Sequence, residues 1–330
     1  MELIPKNQGA EYYRGFLTQQ GRSIYDRIAS QLLREDYTGA TQFMAIDPKT
    51  AFADCFAAYK AVRNDHPEFF FLGTHVQCGL CGEAGTIEYE MLYPVEMIER
   101  IRRQLRKGIY RIVRGTAYLD VVSREKAVYE RIARTVVYSN HNDARDHNVV
   151  GPILLSSGVC EGQNALLLLC FRRIGIPCIK VTGRITEGST RHCWTIAWIN
   201  GTPVHCDVTC DGSDEGSDSV VRFDYFNLSD EQIALDHSDF KGEHIPVCAS
   251  DRFSYYRYHD LCVHSFQNLC SRLKTDAAAG VSPILIHFSY SPASGDHLEE
   301  TKRAFSAEGI GGKHMLDFHP TLKNLAVKKL

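Results

Sequence analysis

Residues 191–211 read RHCWTIAWINGTPVHCDVTCD. Two alternating runs flank Asn200-Gly201, the dipeptide that most strongly favours a two-residue hairpin turn. Counting outward from that turn pairs Ile199 with Thr202, Trp198 with Pro203, Trp194 with Asp207 and His192 with Thr209. Successive side chains of a strand point to opposite faces, so His192, Trp194, Ile196 and Trp198 share a face with Pro203, His205, Asp207 and Thr209. His192 and Asp207 become diagonal neighbours, about 7 to 8 Å apart at the backbone and within reach of a carboxylate–imidazole hydrogen bond. A four-residue loop centred on the same bond keeps these partners, whereas a three-residue loop with a bulge would separate them.

Upstream, Ser156-Ser157-Gly158-Val159 leads into Cys160 and a run through Ala165, Leu166, Leu167, Leu168, Leu169, Cys170, Phe171 and Ile174. A helix apolar on nearly all sides is a central, buried one. Arg172 and Arg173 suit the negative end of its dipole, Gly175 the left-handed cap, and Pro177 prevents continuation. At its other end, unpaired amides favour an anion, so a thiolate at Cys160 is stabilised and its pKa falls. Packed on the hairpin face, this helix would bring Cys160, His192 and Asp207 together as nucleophile, base and orienting carboxylate. The amide of Cys160 is a candidate oxyanion donor. Trp194 would wall the site from water, and His205, nearer the turn, is the alternative base.

Several segments in this order resemble the bacterial transglutaminase-like superfamily. They are Gly158-Val159-Cys160-Glu161-Gly162, Gly175-Ile176-Pro177-Cys178, Gly183, His192-Cys193-Trp194, Asn200-Gly201 and Asp207-Val208-Thr209-Cys210-Asp211. The resemblance runs from about Asp120 to His237, and more weakly takes in Asp65-His66-Pro67-Glu68. It implies a papain-like core, in which the nucleophile's helix packs against an antiparallel sheet carrying the His and Asp. Gln163, Thr195 and Cys210 stand where the family usually has Tyr, Asn and Trp. These departures lie where substrate walls would be, so Trp194, Gln163 and Glu161 are the candidate substrate contacts. Glu161 is equally explained by the helix dipole.

Outside this core the chain reads as flanking extensions. Residues 1–120 predict helices at Ser23 to Leu33, after Asp47-Pro48 and after Pro94, with strands at Glu68 to Leu72 and Thr86 to Leu92. Residues 121–248 form the core, opening with a helix from Ser123 and carrying strands at Cys178 to Ile185, Cys193 to Ile199 and Thr202 to Thr209. Residues 249–330 predict a helix from Tyr255 to Leu273, a strand from Pro283 to Phe288, a helix from Leu298 to Phe305 and a strand near Met315, without chemistry of their own. Gly309 to His314 lacks the first Gly and the Ser/Thr of a phosphate loop and reads as a turn. His75, Cys78 and Cys81 offer three soft ligands, but no second Cys-x-x-Cys follows; a fourth ligand such as Cys55 would have to come from afar. A turn with incidental thiols is the simpler reading, although glycoprotein deglycosylases of the resembling superfamily carry zinc knuckles ahead of the core.

The 330 residues carry 37 Lys+Arg against 40 Asp+Glu. That balance gives no basic stripe for nucleic acid, and the Arg-rich helix after Pro94 pairs Glu96 with Arg100 and Glu99 with Arg103, as a solvated face does. No apolar run is long enough to span a membrane, and Met1 to Gln20 lacks the core of a signal peptide. The expectation is therefore a cytoplasmic protein whose 12 cysteines stay reduced. Taken together, the sequence predicts an α+β enzyme performing thiol-dependent acyl chemistry on a peptide or protein amide. It implies no cofactor, metal, nucleic acid or membrane partner. Hydrolysis is favoured; an amine-accepting transglutaminase and a non-catalytic binding module are the alternatives.

Overall fold

The computed structural model describes residues 11–139, 141, 143–186, 190–212, 220–242 and 244–330; part of the leading stretch Met1 to Gln20 lies outside them. Helices and mainly antiparallel sheets segregate along the chain, an α+β arrangement.

The first region comprises α1 (Gln19–Leu33), β1 (Ala40–Met44), α2 (Ala51–Asp65), β2 (Leu72–Cys81), β3 (Ala84–Met91) and α3 (Val95–Val113). Its strands form an antiparallel sheet in the order β1-β3-β2. The second helix begins later than Asp47-Pro48 predicts, because Asp47 accepts the amide of Lys49 (2.9 Å) and closes a turn instead of capping. Glu68 to Phe71 is likewise a turn, with Phe69 N bonded to His66 O and Leu72 N to Phe69 O. Phe69, Phe70 and Phe71 are all buried.

The second region holds α4 (Val121–Thr135), β4 (Val137–Tyr138), α5 (Val150–Leu154), β5 (Ser157–Gly158), α6 (Cys160–Arg173), β6 (Cys178–Ile185), β7 (Thr190–Ile199), β8 (Thr202–Cys206), β9 (Phe226–Leu228), α7 (Asp230–Ile233) and β10 (His237–Ser238). Asp120 caps α4 by accepting the amides of Val122 and Ser123. The five-stranded sheet runs β10-β6-β7-β8-β9. Its central hairpin has the expected register, Ile199 opposite Thr202 and Trp198 opposite Pro203. Asn200 (φ 49°) and Gly201 (φ 78°) adopt the left-handed values of a type I′ turn. The paired ladder ends at Cys206, short of Thr209, leaving Asp207 in the following turn.

Helix α6 packs on β6 and β7 with α3, α4 and α5 around it, on the sheet face of Thr195 and Ala197 and not, as the sequence reading expects, on the face of Trp194 and Ile196. Leu166 to Phe171 are each at most 1% exposed, so this helix is enclosed on every side. One continuous core joins Ile24, Val62 and Phe71 of the first region to Leu166, Phe171 and Val204 of the second. Arg172 does more than meet a dipole. It is buried, and its guanidinium donates to the carbonyls of Asp65 (2.5 Å) and Cys178 (3.2 Å), tying α2 and β6 to α6.

The third region contains α8 (Tyr255–Tyr258), β11 (Cys262–Val263), α9 (Phe266–Ala278), β12 (Ile284–Phe288), α10 (His297–Glu308), β13 (His314–His319) and β14 (Asn324–Lys329), with sheet order β11-β12-β14-β13. The single helix expected from Tyr255 to Leu273 is interrupted. Asp260 takes a positive φ (54°), Cys262 and Val263 pair with β12, and Ser265 caps α9 by accepting the amide of Asn268. Gly309 ends α10 in the left-handed conformation, and the segment to His314 is a turn.

Candidate active site

Cys160 is the first residue of α6, where Val159 supplies no side-chain cap and leaves the first-turn amides to the site. The next turn can approach only because residue 162 is Gly. A Cβ there would stand 2.4 Å from the carbonyl oxygen of Asp146 and 2.9 Å from that of Asn148. The Cys160 side chain meets the His192 ring and the thiol of Cys193. Hydrogen bonding from Cys193, together with the bond and charge of His192, outweighs burial and brings the Cys160 thiol down to about 5.

His192 projects from β7, and its Nε2 lies 2.5 Å from Oδ2 of Asp207. This is the diagonal contact that the hairpin register predicts. Burial works against a charged ring here, but Asp207 and then Cys160 push the His192 pKa up to about 10. Asp207 is itself 1% exposed. Its Oδ1 accepts the amides of Thr209 (3.0 Å) and Cys210 (3.2 Å), and its carbonyl accepts Tyr129 Oη–H (2.8 Å). Burial opposes this carboxylate, yet the charges and hydrogen bonds of His192 and His237 hold it well below the usual range. The arrangement is a depressed thiol facing an imidazole that is backed by a buried carboxylate, a set of groups chemically able to perform nucleophilic acyl transfer.

Residues 110–208 match the family model described as the Transglutaminase-like superfamily. Over that stretch, less than a third of its length, the chain is similar to that superfamily. The matched stretch includes Cys160, His192 and Asp207. Among solved structures, the chain is similar to one titled "Crystal structure of a TGase", at 12% identity over 52% of this chain and 50% of that one, with a TM-score of 0.30. It is also similar to a chain titled a "Putative Cysteine Protease from Cytophaga hutchinsonii", at 16% identity over 41% and 61% of the two chains, with a TM-score of 0.29. This chain thus spans between half and two thirds of each of those structures. No curated protein matches it.

The other candidate residues separate into distinct environments. Trp194 is buried behind His192, its ring stacked at 5.9 Å and its Nε1–H donated to His205 Nδ1 (2.9 Å). His205 must then carry its proton on Nε2, which donates to Asp230 (2.8 Å). Burial lowers its pKa, and with both nitrogens engaged it has no free site for a substrate proton. Gln163 is also buried and donates to the carbonyl of Gly158 (3.0 Å), while its Oε1 has no hydrogen-bond partner among the described residues. Glu161 points away to meet Lys180 (2.8 Å), His147 (3.5 Å) and Arg63 (3.6 Å) at a cavity of about 280 Å³ that Asn164 and Phe70 also line. Burial disfavours its charge, but Lys180 and the other cations hold the carboxyl well below its ordinary value.

Two sets of ligand-capable atoms converge within 4.8 Å among the described residues: His192, Asp207, Cys210 and His237, and His205, Asp230 and Cys248. Their His–Asp contacts are direct hydrogen bonds, so nothing in them calls for an ion. His75, Cys78 and Cys81 do not converge. His75 pairs with Glu90 at 2.9 Å, Cys78 Sγ lies 2.8 Å from Cys55 Sγ, and Cys81 is exposed. Sequence reasoning missed Cys193 beside Cys160 and His237 beside Asp207. Cys193 faces away from His192 in a strand's alternation, and His237 arrives on a two-residue strand paired with β6.

Proposed function

We propose that this protein is a cysteine peptidase or amidase acting on a peptide or protein amide, with Cys160, His192 and Asp207 as its catalytic residues. The observation that carries this reading is His192 set between the Cys160 thiol and the buried Asp207 carboxylate. With Nε2 committed to Asp207, Nδ1 is the atom left for exchange with Cys160. The Cys160 thiolate attacks the amide carbonyl, and His192 gives its Nδ1 proton to the departing amine, leaving a thioester. Water then attacks the thioester while His192 takes its proton, and the carboxylic acid leaves with the thiolate restored. The amide of Cys160 and its neighbours in the first turn are oriented to stabilise the oxyanion. Asp207 keeps the imidazole in the correct tautomer.

Hydrolysis is taken as the second step, with water rather than an amine receiving the acyl group. The deciding assay offers a peptide substrate with and without a labelled primary amine at millimolar concentration. Release of free acid that Cys160→Ala abolishes is the expected result. Efficient incorporation of the amine would make the enzyme a transglutaminase. Full turnover by Cys160→Ala would remove the mechanism altogether.

A further inference from the structure

We propose that His237 is a positioning residue for Asp207, clamping the carboxylate that faces His192 and tying it through Asp236, Tyr225 and His319 to the C-terminal sheet. This rests on the reading of Cys160 and His192 as the working pair.

Asp207 lies just beyond the last paired residue of β8, so the ladder does not fix its side chain. Its Oδ1 is held by two amides, while Oδ2 meets two imidazoles, His192 Nε2 at 2.5 Å and His237 Nε2 at 3.1 Å, and the Cys210 thiol also bonds the carboxylate. A carboxylate and a single imidazole can swing together as a unit. A second donor that is itself packed in place prevents that, and His237 is so packed. It is 2% exposed, its edge meets Trp194 at 4.9 Å, and its Nδ1 lies 2.6 Å from Asp236 Oδ1.

The proton placements follow from the partners. His319 Nδ1 accepts the amide of Leu322 (3.2 Å), so its Nε2–H donates to Tyr225 Oη (3.0 Å). Tyr225 in turn donates to Asp236 Oδ2 (2.5 Å). His237 therefore donates with both nitrogens, to Asp236 and to Asp207, and is an imidazolium between two carboxylates. Every polar atom along this path has a partner, and it ends on β13.

The charged surroundings fix the electrostatic consequence. Asp207 and Asp236 face His237 directly, while His192 from β7 approaches at 5.6 Å between ring centroids. His205 from β8 adds a weak repulsion. Tyr225 precedes β9, and Cys210 lies beyond Asp207 with its Sγ 3.9 Å from His192 Nε2. Arg184 of β6 pairs outward with Asp239. His237 thus adds a positive charge beside the Cys160–His192 pair and shares Asp207 with it. Removing that charge raises the pH at which Cys160 becomes a thiolate.

The test follows iodoacetamide alkylation of Cys160 in the full chain by mass spectrometry across pH, in the parent, His192→Ala, His237→Ala and His237→Gln. His237→Ala is expected to move the acid limb of Cys160 reactivity up by about one pH unit and to slow the plateau roughly tenfold, as expected for losing a nearby charge and an anchor. His237→Gln keeps an N–H for Asp207 without the charge, so it should restore the plateau while leaving the limb shifted. A parent that depends on His192, with a His237→Ala profile unchanged in both respects, overturns the role of His237 alone. A parent indifferent to His192→Ala refutes the working pair and this role with it. Should His237→Ala not fold, Tyr225→Phe cuts the link between Asp236 and His319 in a milder way. A slower plateau supports the relay, and an unchanged plateau overturns it.

Discussion

Replacing Glu125 by glutamine should stabilise the protein, and only above mildly acidic pH. Glu125 sits on α4 with 0% exposure, accepting Asn227 Nδ2–H at 3.0 Å and lying 3.7 Å from Cys206 Sγ. No cation appears among the causes of its shift: burial pushes the carboxyl up to about 8 from 4.5, and the hydrogen bonds from Asn227 and Cys206 only partly offset it. Between those two values the unfolded chain has lost this proton while the folded protein keeps it. Stability therefore falls as pH rises, by about 1.4 kcal/mol per unit and roughly 5 kcal/mol in all, levelling off once the folded carboxyl ionises. Glutamine resembles the protonated acid and does not titrate. Urea unfolding of the parent and Glu125→Gln, compared at each pH from about 4 to about 9, isolates this one group, because the other titrations are common to both proteins. The curves should coincide at the acid end and diverge in favour of the variant by several kcal/mol at the alkaline end. A difference that stays flat across the range would refute the reasoning.

Two substitutions probe the site itself. Asp207→Asn removes the carboxylate that keeps His192 at about 10, so the ring returns toward its ordinary value and the ion pair with Cys160 fades at neutral pH; peptide hydrolysis should fall roughly 100- to 10,000-fold in kcat. Gly162→Ala drives a methyl against the carbonyls of Asp146 and Asn148 and should lower unfolding free energy by about 2 to 3 kcal/mol in urea titrations, whereas Gly79→Ala, with no atom within 4 Å, should be nearly neutral.

The parts legible in the sequence are those whose geometry is local. Asn200-Gly201 encodes its own turn, and strand alternation then delivers His192 to Asp207 without knowledge of anything else. The all-round apolar character of 166–171 likewise announces a helix buried on every side. What escaped depends on distant pairing. His237 reaches Asp207 because β10 joins the far edge of β6, and nothing within a two-residue strand signals that neighbour. Asp47 and Glu68 misled for a related reason, since their side chains close turns through partners that periodicity does not weigh. In the third region, the positive φ of Asp260 and the cap at Ser265 split what the apolar spacing presents as one helix. His319 seemed remote from any chemistry, yet it touches Tyr225.

The buried guanidinium of Arg172 sets a lower limit on how small this protein can be made. Trimming the chain to the family-matched stretch, 110–208, would delete the Asp65 carbonyl that receives this group and the Ile24, Val62 and Phe71 surfaces that close the core. The cut end would leave a charge facing solvent through a hole in its own scaffold. Inheritance of the shared segment and autonomy as a folding unit are therefore different properties here, and expression boundaries for this protein should follow the second.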